Sequence, residues 1–366
     1  MDFLVKNYTM QRFVFSLIVI LASAFLSACN MNKTEATIAD EATEVTKAID
    51  AQEFAMGTVI SQKVYGKNGQ MVIDLANERI RYLEGLVTFN APEGDIYNLN
   101  KNAGKKKVEL NAITIKMMKK AQQVAELSNG AFDITIGPLV KSWGIGTENA
   151  RVPSADELHK LLPVINYKDL EVDDRAAFLK KQEQLVDLGG IAKGYAGDEV
   201  IEIYKKNDIK SAFINLGGNV MTLGSKPDGS PWTVGIRNPR MEEAADAHQI
   251  LGSITVRNKA VVTAGDGERY FIKDGKRYHH ILDPHTGYPA QSDLMSVTLV
   301  TDSSFDADAL DTAVFILGLE KGMDFLKKYG GIEAVFITTD KKIVVTDGLK
   351  GNFKLLEGSN DYQLIK

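Results

Sequence analysis

The chain has 366 residues, of which 44% are hydrophobic and 25% charged, a globular composition with enough material for one large or two modest domains. Its formal net charge of -5 gives no electrostatic reason to expect a nucleic-acid partner. Five histidines and one cysteine exclude a disulfide framework and argue against a thiolate zinc site.

Residues 1–28 have the pattern of a secretory signal peptide. Lys6 and Arg12 precede an uncharged run over 13–28, which is shorter than the ~20 residues of a comfortable membrane span. The run ends in Leu-Ser-Ala before Cys29, an ending that resembles a bacterial lipobox. We therefore expect Cys29 to be lipidated and the protein to be anchored at the extracytoplasmic face of the bacterial cell membrane.

The segment after the cysteine is expected to be a flexible tether. A signal that starts at Met10 has the same pattern, so the true start stays open. Residues 29–51 are polar and have no apolar period, and order is expected to begin near Phe54. The remainder, 52–366, shows no second linker or internal repeat and is interpreted as one catalytic domain.

Apolar periodicity predicts long helices over 71–86, 113–127 and 195–206. A loop is expected over 88–100, and Ser154 is expected to cap a helix with Glu157 in a capping box. Short strands are predicted over 58–65, 170–172, 178–180, 185–187, 212–215, 232–236, 250–256, 260–263, 295–300, 334–338 and 342–346. Asp274-Gly275 predicts a hairpin between 269–273 and 276–282. Because helices and strands do not alternate regularly, an α+β fold is favoured over a doubly wound parallel sheet.

An acidic helix is predicted to start near Phe305, capped by Ser303 or Ser304, with a further helix near 321–329. Asp308, Asp311 and Thr312 stand at i, i+3 and i+4, so their oxygens share one helix face. Two carboxylates and a hydroxyl that converge in this way favour a hard cation such as Mg²⁺. Taken alone, the same residues also fit an acidic first turn stabilised by the helix dipole.

A glycine-rich turn over 187–195 follows a predicted strand and opens a helix. Such a turn lets the backbone approach a ligand closely, its free N–H groups suit phosphate, and Lys193 adds a positive charge. Its spacing matches neither a P-loop nor a Rossmann fingerprint. A purely structural strand-to-helix turn is the alternative.

Three histidines fall within seven residues, at His279, His280 and His285. Alternation along a strand points His279 and His280 to opposite faces, which argues against a histidine metal site. His280 in a cleft, as a base or hydrogen-bond partner, and a structural role both remain open.

Six motifs, taken in order, resemble the bacterial FAD:protein FMN transferases of the ApbE family. They are Met56-Gly57-Thr58, residues 130–139, the 187–195 turn, residues 215–218, residues 280–289 and residues 308–312. The resemblance covers essentially the whole chain after the tether.

The resemblance implies an α+β, ApbE-like catalytic domain with two sets of site residues. The FAD site would include Met56, Asn90, Ala131, Phe132, Asp133, Asp187, Lys193 and Leu282. Mg²⁺ would be held by Asp308, Asp311, Thr312 and the backbone carbonyl of Gly190. Asn90 stands where several family members carry an aromatic residue over the flavin or the adenine.

The implied reaction is Mg²⁺-dependent transfer of FMN from FAD to a Ser or Thr hydroxyl of an exported acceptor protein, with release of AMP. His280 and Asp308 are the candidate catalytic residues. The implied acceptor carries an Asp-Gly-x-Ser/Thr-type motif, which the Asp-Gly pairs of this chain do not complete, so the acceptor is expected to be another protein. Two alternatives stay open: an FAD pyrophosphatase that yields FMN and AMP, and a non-catalytic lipoprotein that binds flavin or metal.

Overall fold

The computed structural model describes residues 47–89, 92, 94–240, 250–357 and 361–365. Its largest element is a nine-stranded sheet in which neighbouring strands are antiparallel apart from the last pair. In spatial order the strands are β1 (Ala48–Ala55), β2 (Thr58–Tyr65), β6 (Ser211–Leu216), β7 (Asn219–Leu223), β10 (Ala260–Gly265), β13 (Leu294–Thr301), β14 (Glu333–Thr338), β15 (Lys342–Val345) and β17 (Gln363–Ile365).

The helices are α1 (Gly69–Val87), α2 (Asp95–Lys101), α3 (Ala112–Leu127), α4 (Gly137–Trp143), α5 (Ala155–Leu161), α6 (Ala192–Lys206) and α7 (Ser304–Tyr329), with short 3-10 turns at Leu162–Val164, Tyr167–Asp169 and Asp347–Leu349. α1, α6 and α7 cover one face of the large sheet, whereas α4 and α5 pack in a separate small apolar cluster. α6 packs against α7, and α7 lies on β10 and β13. Gly318 (φ 78°) breaks the helical geometry of α7. This layer buries the main apolar core.

Smaller sheets complete the fold. One has the order β16 (Phe353–Leu355), β9 (Ile250–Val256), β8 (Trp232–Arg237), and it buries a second core against the opposite face of the large sheet. Another joins β3 (Val108–Glu109), β5 (Ala176–Leu179) and β4 (Leu170–Val172), and a hairpin joins β11 (Tyr270–Lys273) to β12 (Lys276–His279). Helices on one face and strands on the other confirm the predicted α+β class.

The most periodic elements were predicted closely. The helices at 71–86, 113–127 and 195–206 are α1, α3 and α6, each extended by one to three residues at an end. Both residues of the hairpin turn, Asp274 (φ 51°) and Gly275 (φ 74°), have the positive φ that a type I′ turn requires. Ser154 caps α5, since its Oγ accepts from the Glu157 N–H at 3.2 Å, whereas the Glu157 carboxylate accepts from Ser142.

Three predictions about elements need correction. The supposed loop at 88–100 contains α2, whose N-cap is Gly94. Residues 185–187 form no strand; Leu185 makes only an isolated bridge to Ile136. The predicted helix near 321–329, by contrast, is confirmed as the part of α7 that follows the break at Gly318. Residues 48–51, assigned to the tether, form the start of β1, because this stretch pairs with β2 across the turn at 56–57.

Several predictions lie outside the described residues. These are the signal peptide, Cys29, the tether up to residue 46, and Asn90. Within the described part of the chain, no helix combines the length and apolar character needed to cross a bilayer.

Candidate functional site

A cleft of about 1620 Å³ opens at the N-terminal ends of α6 and α7. Every described residue that the sequence assigned to the site lines it. These residues are Met56, Ala131, Phe132, Asp133, Asp187, Gly190, Lys193, His280, Leu282, Asp308, Asp311 and Thr312. Residues spread over about 250 positions of the chain therefore share one cavity, but ligand binding by each of them stays a prediction.

The contact between α6 and α7 sets the geometry of the cleft. A Cβ built on Gly194 would lie 2.2 Å from the Ser304 carbonyl oxygen, so only glycine allows this approach. The Gly194 N–H donates to Asp308 Oδ2 at 2.8 Å, and Lys193 Nζ lies 3.3 Å from Asp308 Oδ1. Lys193 Nζ also donates to the Gly189 carbonyl oxygen at 3.3 Å. The glycine-rich turn and the acidic helix are thus joined through one carboxylate.

Two carboxylates are buried here, since Asp308 is 2% and Asp311 4% exposed. Thr312 Oγ1 donates to Asp311 Oδ1 at 3.3 Å. Gly190 lies beside them, because a Cβ built on it would be 3.9 Å from Thr312 Oγ1. The helical spacing that the sequence showed therefore does bring these oxygens to one place.

Around Asp311, burial and neighbouring negative charge outweigh the positive charge of Lys193. Burial raises the pKa of Asp311 well above its ordinary value, and the negative charge of Asp308 raises it further. Burial alone would lower the pKa of Lys193, but Asp308 and Asp311 outweigh it and raise that pKa. One lysine thus serves two buried carboxylates.

A divalent cation fits this set of oxygens. Mg²⁺ prefers hard oxygen ligands and commonly takes one or two carboxylates together with phosphate oxygens and water. Among the described residues, no group of three or more His, Cys, Asp and Glu side chains forms a metal site. The two aspartates, the Thr312 hydroxyl and the Gly190 carbonyl stay the predicted ligands of such an ion.

The wall beside the turn is formed by Asp187 and Phe132. Asp187 Oδ1 accepts from the Gly189 N–H at 2.7 Å, and burial raises the pKa of this carboxyl group. Phe132 is 5% exposed, and its Cε2 would lie 3.1 Å from a Cβ on Gly190. The ring therefore packs against the same turn that carries Lys193.

Other site residues have structural partners as well. Asp133 accepts from the N–H and hydroxyl of Thr135 at 2.8 and 2.7 Å and from the Tyr167 N–H at 2.8 Å, so its carboxylate is used in shaping the loop. Met56 has a positive φ of 53°, and its N–H donates to Glu84 Oε1 at 2.8 Å. Leu282 belongs to a small apolar cluster beside the cleft.

The two adjacent histidines point in different directions, as the alternation predicted. His279 is buried, its Nε2 lies 3.1 Å from the Ala290 carbonyl oxygen, and its ring meets Phe315 edge-on. His280 lines the cleft, and its Nδ1 lies 3.3 Å from the Arg269 carbonyl oxygen. Burial, reinforced by the Arg269 charge, lowers the pKa of His280 to about 3. Its imidazole is therefore neutral at physiological pH.

Several charged residues of the cleft were not predicted from the sequence, and three of them interact electrostatically. Glu268, Arg269 and Arg237 all line the cleft. Burial raises the pKa of Glu268, while the charges of Lys193, Arg269 and Arg237 oppose the rise. Glu268 and Arg269 lie in the Gly265–Tyr270 connection, where no periodic pattern or known spacing marks them.

The chain is similar in sequence to proteins of one family. The sequence model of the ApbE family matches residues 56–336. An FAD:protein FMN transferase of Klebsiella pneumoniae (strain 342) is 36% identical over 312 residues, which are 85% of this chain and 95% of that protein. The protein of the same name from Treponema pallidum (strain Nichols) is 33% identical over 324 residues, covering 83% and 88% of the two chains.

Solved structures of ApbE proteins superpose on this fold. The ApbE protein of Thermotoga maritima superposes with a TM-score of 0.73 at 31% identity, covering 87% of this chain and 99% of its own. The flavin transferase ApbE from Vibrio cholerae gives a TM-score of 0.75 at 25% identity, covering 84% and 99%.

Proposed function

This chain belongs to the ApbE family, and from that premise we propose that it is an FAD:protein FMN transferase. In our proposal it moves FMN from FAD to a Ser or Thr hydroxyl of an exported acceptor protein and releases AMP. The observation that carries the proposal is the meeting of Lys193, Asp308 and Asp311 in one cleft, which offers a cation for phosphate and carboxylates for a divalent ion.

The proposed reaction is a phosphoryl transfer. The acceptor hydroxyl oxygen forms a bond to the phosphorus nearer riboflavin, and the bond from that phosphorus to the bridging oxygen breaks. AMP leaves with the bridging oxygen, and the hydroxyl proton passes to a base. The transferred FMN is then held to the acceptor by a phosphoester bond.

The chain's own residues position the pyrophosphate. Lys193 stands in the first turn of α6, where the positive end of the helix dipole adds to its charge. A lysine contacts phosphate as a compact charge, which suits an oxygen whose charge grows as the leaving group departs. Phe132 and Met56 offer apolar, polarizable surface to the flat rings of FAD.

Asp308, Asp311, Thr312 and the Gly190 carbonyl would hold Mg²⁺. When bound, this ion supplies Lewis-acid polarisation of the phosphoryl oxygens. Without a cation, the two buried carboxylates repel each other and carry the cost of burial. Their arrangement therefore supports a site that is completed by metal and substrate together.

His280 is our candidate for the base. Its imidazole is neutral in the free cleft, so it has a nitrogen lone pair available to take a proton. The negative pyrophosphate would raise the pKa of His280 once FAD is bound, which makes proton uptake easier in the complex. Its contact with the Arg269 carbonyl fixes the position of the ring.

The nearest alternative is an FAD pyrophosphatase, in which water attacks the same phosphorus. The sequence feature behind it is Asn90, which replaces an aromatic residue of several family members and lies outside the described residues. A non-catalytic lipoprotein that binds flavin or metal is the third possibility; it could use the two carboxylates as metal ligands but would need no base at His280.

We further propose that the enzyme acts outside the cytoplasm, tethered through Cys29. The support is the basic-then-apolar pattern over residues 1–28 and the small residues before the cysteine. Labelling with a palmitate analogue, compared between the native chain and Cys29→Ser, tests this directly. Equal labelling of both would contradict the anchor.

Intact-mass analysis of an acceptor protein tests the activity. With FAD and Mg²⁺, the acceptor should gain the mass of FMN less one water, and AMP should appear in equal amount. The pyrophosphatase alternative predicts free FMN at the same rate with and without acceptor. The binder alternative predicts neither product.

A further inference from the structure

The cleft continues well beyond the site just described, along strand β8. Its lining includes Trp232, Thr233, Val234, Gly235 and Arg237. Trp232 and Val234 point toward the second core, whereas Thr233, Gly235 and Arg237 point away from it. Since residues of both orientations line the cleft, the cleft runs along the edge of β8 and not over one of its faces.

That edge is unpaired in the described part of the chain. β8 is the last strand of the sheet β16-β9-β8 and hydrogen-bonds only to β9. An unpaired edge presents a row of backbone N–H and C=O groups that can accept another strand. Six residues of strand span about 20 Å, which is enough for one short extended segment.

The floor of this part of the cleft is an apolar stretch of the large sheet. Tyr65, Phe213 and Val220, on β2, β6 and β7, line the cleft on the face opposite the helices. The Trp232 ring lies 5.5 Å from the Phe213 ring and 6.2 Å from the Tyr65 ring. β8 therefore stands directly over this floor, and the two form a groove.

The groove is positively charged. Lys63, Lys226 and Arg237 line it, and none of the described lining residues from β2, β6, β7 or β8 is acidic. Lys63 is paired with Asp50 of β1 at 2.9 Å, so Lys226 and Arg237 carry most of the positive charge. Arg237, at the end of β8, and Lys193 both interact electrostatically with Glu268, and all three residues line the cleft. The end of β8 is therefore near the part of the cleft proposed to bind phosphate. A segment lying along β8 would thus lead to Lys193.

We propose that the outer edge of β8 binds an extended, acidic segment of the acceptor protein as an added β-strand, which delivers its hydroxyl to the pyrophosphate. This inference rests on the proposed transferase function and names how its partner is recognised. Main-chain hydrogen bonds to β8 would provide affinity, and the basic groove would select acidic neighbours of the hydroxyl.

The test uses the full chain with FAD, Mg²⁺ and a synthetic twelve-residue peptide containing Asp-Gly-Ala-Thr. In an added strand, only every second N–H points toward the neighbouring strand. N-methylation of successive peptide amides should therefore raise KM in an alternating pattern, by about fivefold or more at each sensitive position. Uniform tolerance of N-methylation would overturn the proposal.

Charge reversal provides a second, independent readout. Lys226→Glu should raise KM for the peptide by about tenfold and leave the Kd for FAD unchanged. Lys354→Glu is the matched control, because Lys354 is exposed on β16, at the opposite edge of the same small sheet. Equal effects of the two substitutions would contradict a specific groove.

The remaining outcomes separate this inference from the function on which it rests. If a folded acceptor is modified but the peptide neither binds nor reacts, the added strand is wrong and the transferase stands. If no acceptor of any kind gains FMN, the transferase itself fails. The amides of 232–237 that do not bond to β9 should exchange freely without peptide. Their protection would mean that the outer edge is already filled, by a second copy if the protection depends on concentration and by this chain otherwise, and either result overturns the proposal.

Discussion

Lys193 Nζ lies 3.3 Å from Asp308 Oδ1, although the two residues are 115 positions apart in the chain. The same carboxylate accepts from the Gly194 N–H at 2.8 Å. One hydrogen-bonded contact between α6 and α7 therefore fixes the distance between the phosphate-binding turn and the acidic helix. Changes at this contact should disturb both halves of the site.

Gly194→Ala tests the helix contact. The added Cβ would lie 2.2 Å from the Ser304 carbonyl oxygen and 2.5 Å from Asp308 Cβ, so the helices must separate. We expect a loss of about 3 kcal/mol in the free energy of unfolding, together with weaker FAD binding. Gly85→Ala is the control: Gly85 lies in α1 with nothing within 4 Å of the built Cβ, and the change should stabilise by about 0.5–1 kcal/mol. Equal urea midpoints for the two variants would refute the packing argument.

Asp311→Asn should separate stability from function. The neutral amide avoids the repulsion from Asp308, so in EDTA the variant should unfold at the same or a higher temperature than the native chain. Turnover with Mg²⁺ should fall by about two orders of magnitude or more. Asp324→Asn, an exposed change on the same helix, should alter neither. Unchanged turnover in Asp311→Asn would show that Asp311 is not a ligand of the catalytic metal ion.

The same variant has a defined pH dependence. The folded-state pKa of Asp311 is raised, so folding favours its protonated form. The metal-free native chain should therefore lose stability relative to Asp311→Asn as pH rises from the ordinary aspartate value of 3.8 through the raised pKa. Thermal unfolding in EDTA across that range measures the difference, and a gap that shrinks with rising pH would have the wrong sign.

Lys193→Met keeps most of the side-chain volume and removes the charge. A charged hydrogen bond contributes about 1.5–3 kcal/mol, so kcat/KM for FAD should fall by about 10- to 100-fold. Since Lys193 also balances Asp308, the variant should be destabilised more in EDTA than with Mg²⁺. Lys206→Met, exposed at the end of the same helix, is the control. If Lys193→Met and Lys206→Met have the same kcat/KM for FAD, Lys193 does not contact the substrate.

His280→Gln tests the proposed base. We expect a fall in kcat of about 10²-fold, the lower end of what general-base catalysis contributes. Because the pKa of His280 in the free cleft is about 3, the profile of kcat/KM between pH 5 and 8 should show no inflection due to this residue. His159→Gln, an exposed change on α5, should match the native enzyme. An inflection near pH 6.5 that disappears in His280→Gln would mean that the imidazole is far more solvated than the structure shows.

The parts of the fold that could be predicted are those in which local pattern and tertiary burial agree. α1 and α3 bury one continuous stripe, and the Asp274-Gly275 turn has one favoured geometry. β1 was missed because its burial alternates only weakly and its edge position leaves Phe54 73% exposed. The isolated bridge at Leu185 depends on Ile136, far away in sequence.

The site residues also divide into those that could be predicted from the sequence and those that could not. Asp308, Asp311 and Thr312 could be found because helical spacing alone places them together. Glu268 and Arg237 could not, since they enter the cleft from a loop and an edge strand whose positions depend on the packed sheets.

Coupling between Mg²⁺ and FAD binding tests the central claim most directly. Flavin fluorescence titrations give the Kd for FAD with Mg²⁺ and with EDTA, in the native chain and in Asp311→Asn. If Lys193 and an ion on the α7 carboxylates hold the same pyrophosphate, Mg²⁺ should tighten FAD binding by about tenfold or more in the native chain and not in the variant. An equal Kd for FAD with Mg²⁺ and with EDTA in the native chain would contradict the account.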